Sequence, residues 1–178
     1  MPWIQNVSIS DIKNACHFEA GENSMLIQIC DPAYEFPTPM KQFKEVHQFE
    51  FLDVEDKDEL FHEFAVTQAQ ADHLVELLQH ALDNRMHVVV HCHAGVCRSG
   101  AVCEVGVMMG FNDTEVFRSP NLMVKHLMMK KLGWLYDEQE PHSINGVTVP
   151  EDWNNDNEKV FTLADARRKY RFNHGDEV

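Results

Sequence analysis

The 178-residue chain carries fifteen Lys and Arg against twenty-nine Asp and Glu, a net charge of -14, with 44% apolar and 25% charged residues. This is the balance of an ordinary soluble globular protein with one sizeable core, and its acidity repels nucleic acid and anionic membranes. No apolar run approaches the roughly 20 residues of a membrane span, MPWIQNVSIS lacks the pattern of a signal peptide, and five cysteines without regular spacing argue against a disulfide framework; a cytoplasmic location is expected.

No element is assigned before Ser24. SMLIQIC, Ser24 to Cys30, is an apolar run that ends at Asp31-Pro32 and reads as a strand followed by a break. VHQFEF sets Phe49 and Phe51 two apart, a half-buried strand. FLDVEDKDELFHEF is acidic and irregular, a loop. From Thr67 the period changes. Leu74, Leu77, Leu78, Ala81 and Leu82 recur at helical spacing, and Thr67 with Gln70 makes a capping box.

HVVVH, from His87, has the length and continuity of a central strand covered on both faces. SGAVCEVGVMMG, from Ser99, predicts a buried helix with Gly110 past its end. Ser119-Pro120 predicts another, with proline at its first position and Gly133 beyond it. The residues after Trp134 turn polar, with a last helix expected from Thr162 and Asp165. MKKLG and ARRKYR are the two basic patches, read as solvated helix faces. Alternating strands and helices predict a single α/β domain, a central mostly parallel sheet flanked by helices. Residues 1–135 are expected to form the catalytic domain. Residues 136–178 are expected to be a C-terminal extension, irregular then helical, packed on or appended to it.

The chemistry concentrates in HCHAGVCRSG, His91 to Gly100. Cys92 falls where a buried strand ends, and Ser99-Gly100 where a helix begins. Such a junction is an anion site: loop N–H groups can point inward and the helix N-terminus adds partial positive charge. Gly95 lets the backbone turn. Arg98 offers a planar fork that fits two phosphate oxygens. The same features favour a thiolate at Cys92. His91 can orient the loop, and the Ser99 hydroxyl can donate to the sulfur. Cys92 is thus placed to attack phosphorus.

HCHAGVCRSG resembles the His-Cys-x5-Arg-Ser/Thr-Gly signature of cysteine-dependent protein tyrosine and dual-specificity phosphatases. The resemblance covers roughly Met25 to Gly133. It implies a phosphatase with a phosphocysteine intermediate at Cys92 and no metal cofactor. It also implies oxyanion binding by Arg98 and the loop amides of His93, Ala94, Gly95, Val96 and Cys97. Relatives of this kind place a general acid after an alternating strand. Two registers fit, through Phe49 and Phe51 to Asp53, and through Leu52 and Val54 to Asp56. Asp53 is preferred because both phenylalanines stay in the strand; Glu55 and Asp58 are the other acids of the stretch. Cys97 and Cys30 are candidate oxidation partners of Cys92; for Cys97 the favoured reading is a small residue that fits.

The cluster His87, His91, Cys92, His93 and Cys97 does not read as a metal site, because neighbouring strand residues point to opposite faces. The expected partner is a phosphorylated protein or small phosphomonoester. The alternatives are an inactive phosphate-binding module, or the same chemistry on RNA 5′-triphosphate or a phospholipid headgroup. Both Cys92 and Arg98 are present, against the first; the acidic surface and the lack of lysine in the loop speak against the second.

Overall fold

The computed structural model describes residues 1–55 and 61–135, all within the unit Met1–Tyr136. The expected tail helix and the acids Asp56 and Asp58 lie outside the described residues. The elements run β1 (Trp3–Ser8), α1 (Ile9–Asn14), β2 (Ser24–Cys30), β3 (Glu45–Glu50), a 3-10 turn (His62–Phe64), α2 (Gln68–Asp83), β4 (His87–Cys92), α3 (Arg98–Met109), β5 (Asn112–Asp113) and α4 (Leu122–Lys131). The strands form one sheet in the order β3-β2-β4-β1-β5, and every pairing is parallel. The expected α/β class holds, with a sheet that is wholly parallel.

Alternation along the strands sorts two cores. Val88, Val90 and Cys92 of β4 join Met25, Ile27 and Ile29 of β2 on the face covered by α2, α3 and α4. Val89 and Leu26 turn to the other face, with Val7, Ile12 of α1 and Phe18. Because β4 is covered on both sides, five of its six residues are buried, as its unbroken apolar run demands.

The helix signals act as read. Thr67 caps α2: its side chain accepts from the Gln70 amide, and the Gln70 side chain accepts from Thr67 N–H. Gly110, at φ 122°, ends α3. One signal is corrected. Pro120 does not open α4; Asn121 is its N-cap, and the side-chain oxygen of Asn121 accepts from the Val124 amide at 3.0 Å. An N-cap asparagine satisfies a free amide that proline would only have removed from the count.

β1 and α1 are additions to the sequence reading. Gln5 and Asn6 interrupt the apolar pattern of β1, although it pairs with β4 in the middle of the sheet. Among the described residues, no helix is long and apolar enough to cross a membrane. Leu78 is fully buried in the main core and Thr67 caps an exposed helix end. Leu78→Ala is expected to cost roughly 2–5 kcal/mol and Thr67→Ala about 1 kcal/mol, as read from urea unfolding midpoints; equal costs would contradict this assignment of core and cap.

Candidate active site

In a parallel sheet all carboxyl ends lie along one edge, where α/β proteins bind ligands. Here that edge gathers the ends of β1, β2 and β4, and the loop 93–97 rises from β4 toward α3. Cys92 is buried at the end of β4, with its sulfur 3.2 Å from Ser99 Oγ, in the first turn of α3.

Four of the loop's carbonyls are engaged by the surrounding chain. Ile9 N–H donates to His93 O at 3.2 Å, and Asn6 Nδ2 to Gly95 O at 2.7 Å. Ser119 N–H donates to Val96 O at 3.3 Å, and Asn121 N–H to Cys97 O at 3.1 Å. Each peptide unit is trans, so its N–H points opposite to its C=O. The amides of Ala94, Val96, Cys97 and Arg98 therefore face away from these walls, into a common concavity. Inward amides of this kind are the geometry that anion nests use.

Gly95 permits the close approach. It sits at φ 73°, and a Cβ there would lie 2.4 Å from Val7 C and 2.5 Å from Ser8 N. Those obstacles are backbone and cannot rotate away.

Arg98 is buried, and its hydrogen bonds among the described residues run through Nη1. Nη1 donates to Asp31 Oδ1 and, at 2.8 Å, to Phe51 O. Nε is buried with no partner among the described residues. The guanidinium is thus fixed by one corner, which leaves the Nε edge for a ligand.

Asp53 is exposed in the stretch after β3, and its carboxylate accepts from Asn121 Nδ2 at 2.7 Å. The same Asn121 amide donates to Val54 O at 3.1 Å, while Asn121 N–H holds the phosphate loop at Cys97. Burial and then the neighbouring Asp53 charge push the Cys97 thiol up to about 11. Asp53 therefore stands beside the loop, and one asparagine ties it there. Glu55 is half-buried further along. All five cysteines are free thiols, and burial raises Cys30 as well.

His91 is fully buried on the face away from Cys92, so the two cannot share an ion, as alternation requires. Its Nδ1 lies 3.5 Å from Cys92 O and its Nε2 has no partner among the described residues. Burial holds its pKa down to about 4, with the Arg98 charge adding to this and the Cys92 carbonyl opposing it.

Three residues of this architecture carry no signal that the sequence reading used. Asn6 was hidden as a polar break in a strand, Asp31 was read only as a strand terminator, and Asn121 was overshadowed by Pro120. A carboxylate directly after a parallel strand and an asparagine directly before a periodic segment are the signals that could have found the last two.

The fold is a parallel α/β domain with a buried cysteine at the base of a strand–loop–helix junction. A family described as Tc-R-P, polymorphic toxin system, DSP-PTPase phosphatase, matches residues 60–109, just over a quarter of the chain, from before α2 to the end of α3. Over those residues the chain is similar to dual-specificity-type protein tyrosine phosphatases. No curated protein matches it. Among solved structures, it is similar to OH1 of the Orf virus, described as a tyrosine phosphatase with triple substrate specificity. That likeness has 18% identity and a TM-score of 0.42, over 61% of this chain and 57% of the other, less than two thirds of the viral protein. Human DUSP28 is 13% identical over 78% of this chain and 85% of its own, with a TM-score of 0.43. Tk-PTP in its active form is 14% identical over 72% and 77%, with a TM-score of 0.40.

The depressed His91 pKa fixes a sign. The unfolded chain takes up a proton near the ordinary pKa of about 6.5, while the folded chain resists until about 4. Stability due to this residue is therefore complete above about pH 6.5 and is lost as pH falls toward 4, by about 3 kcal/mol at 1.36 kcal/mol per pH unit. Urea unfolding at about pH 7 and about pH 4 is expected to show this loss, and His91→Gln to show a shallower one. An identical slope in the variant would contradict a neutral buried imidazole.

Proposed function

We propose that this protein hydrolyses phosphomonoesters through a phosphocysteine intermediate at Cys92, acting on phosphorylated protein as a tyrosine or dual-specificity phosphatase. One observation supports the reading most directly. Arg98 is anchored through Nη1 to Asp31 and Phe51 O, and its buried Nε has no partner among the described residues, beside a loop with four carbonyls engaged by the surrounding chain.

The substrate's terminal oxygens bind the inward amides of the loop 93–98 and the open edge of the guanidinium. The Cys92 thiolate attacks phosphorus and forms the S–P bond, while the P–O bond to the leaving group breaks. Asp53 gives its proton to that oxygen. Asp53, now a carboxylate, then takes a proton from water as the water oxygen attacks phosphorus. The S–P bond breaks, inorganic phosphate leaves, and the Ser99 hydroxyl, 3.2 Å from the sulfur, stabilises the departing thiolate. Asn121 positions Asp53 over the loop for both steps.

No metal enters this scheme. The loop has no lysine, and the -14 charge of the chain disfavours polyanionic substrates such as RNA 5′-triphosphate or an anionic lipid surface. Residues 1–135 would suffice for the chemistry as drawn. A cytoplasmic setting suits its free thiols.

The deciding assay uses a chromogenic aryl phosphate. Cys92→Ser is expected to lower turnover by roughly 10⁴-fold or more while vanadate still binds, and Arg98→Lys by about 100- to 1000-fold. Near-normal turnover in Cys92→Ser would refute the phosphocysteine route.

The acid is tested by leaving-group dependence. Asp53→Asn is expected to slow substrates with poor leaving groups most, and Asp56→Asn to follow the parent. The reverse order would transfer the role to Asp56.

A further inference from the structure

We propose that Asp11, Cys16 and His17 form a binding site for a divalent metal, of the kind suited to Zn²⁺, at the corner where β1 turns into α1. This site is separate from the catalytic cysteine and independent of the phosphatase reading. Asp11 offers a carboxylate oxygen, Cys16 a sulfur and His17 a ring nitrogen, all within 4.8 Å of one another. His17 Nδ1 is 2.7 Å from Asp11 Oδ1, and Cys16 Sγ is 3.4 Å from the same oxygen. Tetrahedral zinc with bonds of about 2.0–2.3 Å separates its ligands by roughly 3.3–3.8 Å. The cluster thus needs only a small opening between His17 and Asp11. The His17 side chain is 80% exposed and free to make it. Three protein ligands of mixed S, N and O character leave a fourth position for water.

The surrounding chain holds these donors in place. Asp11 Oδ2 accepts from Ser8 N–H at 2.8 Å and Ser8 Oγ at 2.7 Å, so the carboxylate presents Oδ1 in a fixed direction. Such a partner on a ligand's other atom is what orients metal ligands generally. Cys16 N–H returns to Asp11 O at 3.2 Å, and Gln5 Nε2 donates to His17 O at 2.6 Å. Ala15 and His17 both take left-handed backbone, φ 55° and 62°, with side chains that ordinarily avoid it. These two turns fold Cys16 and His17 back over Asp11. The sequence gives no zinc-finger spacing here, which is why the site emerges only from the fold.

Binding would replace two hydrogen bonds by coordinate bonds. The Cys16 S–H bond breaks and its proton passes to solvent, the sulfur pair going to the metal. A neutral His17 presents the Nδ1 lone pair, its proton held on Nε2. Asp11 coordinates through Oδ1 while Oδ2 keeps its bonds to Ser8. The metal would then clamp the β1–α1 corner, which backs the phosphate loop through Ile9 N–H to His93 O.

The test uses the full chain, stripped of metal and titrated with Co²⁺. One equivalent is expected to bind, with a thiolate-to-cobalt charge-transfer band and tetrahedral d–d absorption, both lost on adding Zn²⁺. The bands are expected unchanged in Cys92→Ser and absent in Cys16→Ser and in His17→Ala. Melting of the metal-free variants, followed by circular dichroism, shows that they fold. Should Cys16→Ser fold poorly, the exposed His17→Ala decides. Absence of a charge-transfer band, its survival in His17→Ala, or its loss in Cys92→Ser would each overturn the proposal.

Discussion

The backbone of β1 presses directly on the loop at Gly95, and the rest of the site depends on that contact. With Val7 C and Ser8 N occupying the space where a side chain would stand, the loop is pinned from behind. Asn6, Ile9, Ser119 and Asn121 then seize its carbonyls one after another. The amides have only one direction left. The cradle is therefore preorganised by what surrounds it, and a ligand need not bear the cost of ordering it.

Arg98 follows the same logic with a side chain. A guanidinium on a long flexible stem loses much rotamer entropy when it binds. Burial, Asp31 and the Phe51 carbonyl have already removed most of that freedom. Phe51 also connects this anchor to Asp53, which the chain reaches two residues later. Asn121 closes the circuit from the other side, with one amide on Asp53 and its backbone on Cys97. Cys92, Arg98 and Asp53 are thereby parts of one hydrogen-bonded frame.

Much of this was legible in the sequence, for identifiable reasons. β2 and β4 are continuous apolar runs, α2 carries both period and capping box, and α3 ends on a glycine; each is a local signal that the tertiary structure reinforces. Cys92, Arg98 and Ser99 were readable because strand, loop and helix meet there in a fixed spacing. β1 was not, because its central place in the sheet is disguised by Gln5 and Asn6. Asn6 is polar for a tertiary purpose, bonding Gly95 O and Phe117 O, and no local pattern announces that. Asp31 and Asn121 were hidden likewise, since their partners lie 67 and 68 residues away. The cluster of Asp11, Cys16 and His17 depends on two left-handed residues that sequence patterns do not forecast.

The Asp31–Arg98 pair has a consequence for how substrate arrives. The loop's arginine already faces a carboxylate, so the cradle has little net positive charge to project into solvent. On the proposed reading it would hold an anion by short-range dipoles, within a chain of net charge -14. A dianionic phosphate would have to approach against the long-range field and would be captured only on contact. Added salt screens that field over about 8–10 Å, so encounter with phosphate esters should quicken as ionic strength rises, opposite to enzymes that steer anions with basic funnels. On the proposed reading, the same field would draw in a phosphate that is carried among lysines and arginines, and basic flanking sequence would be its natural escort.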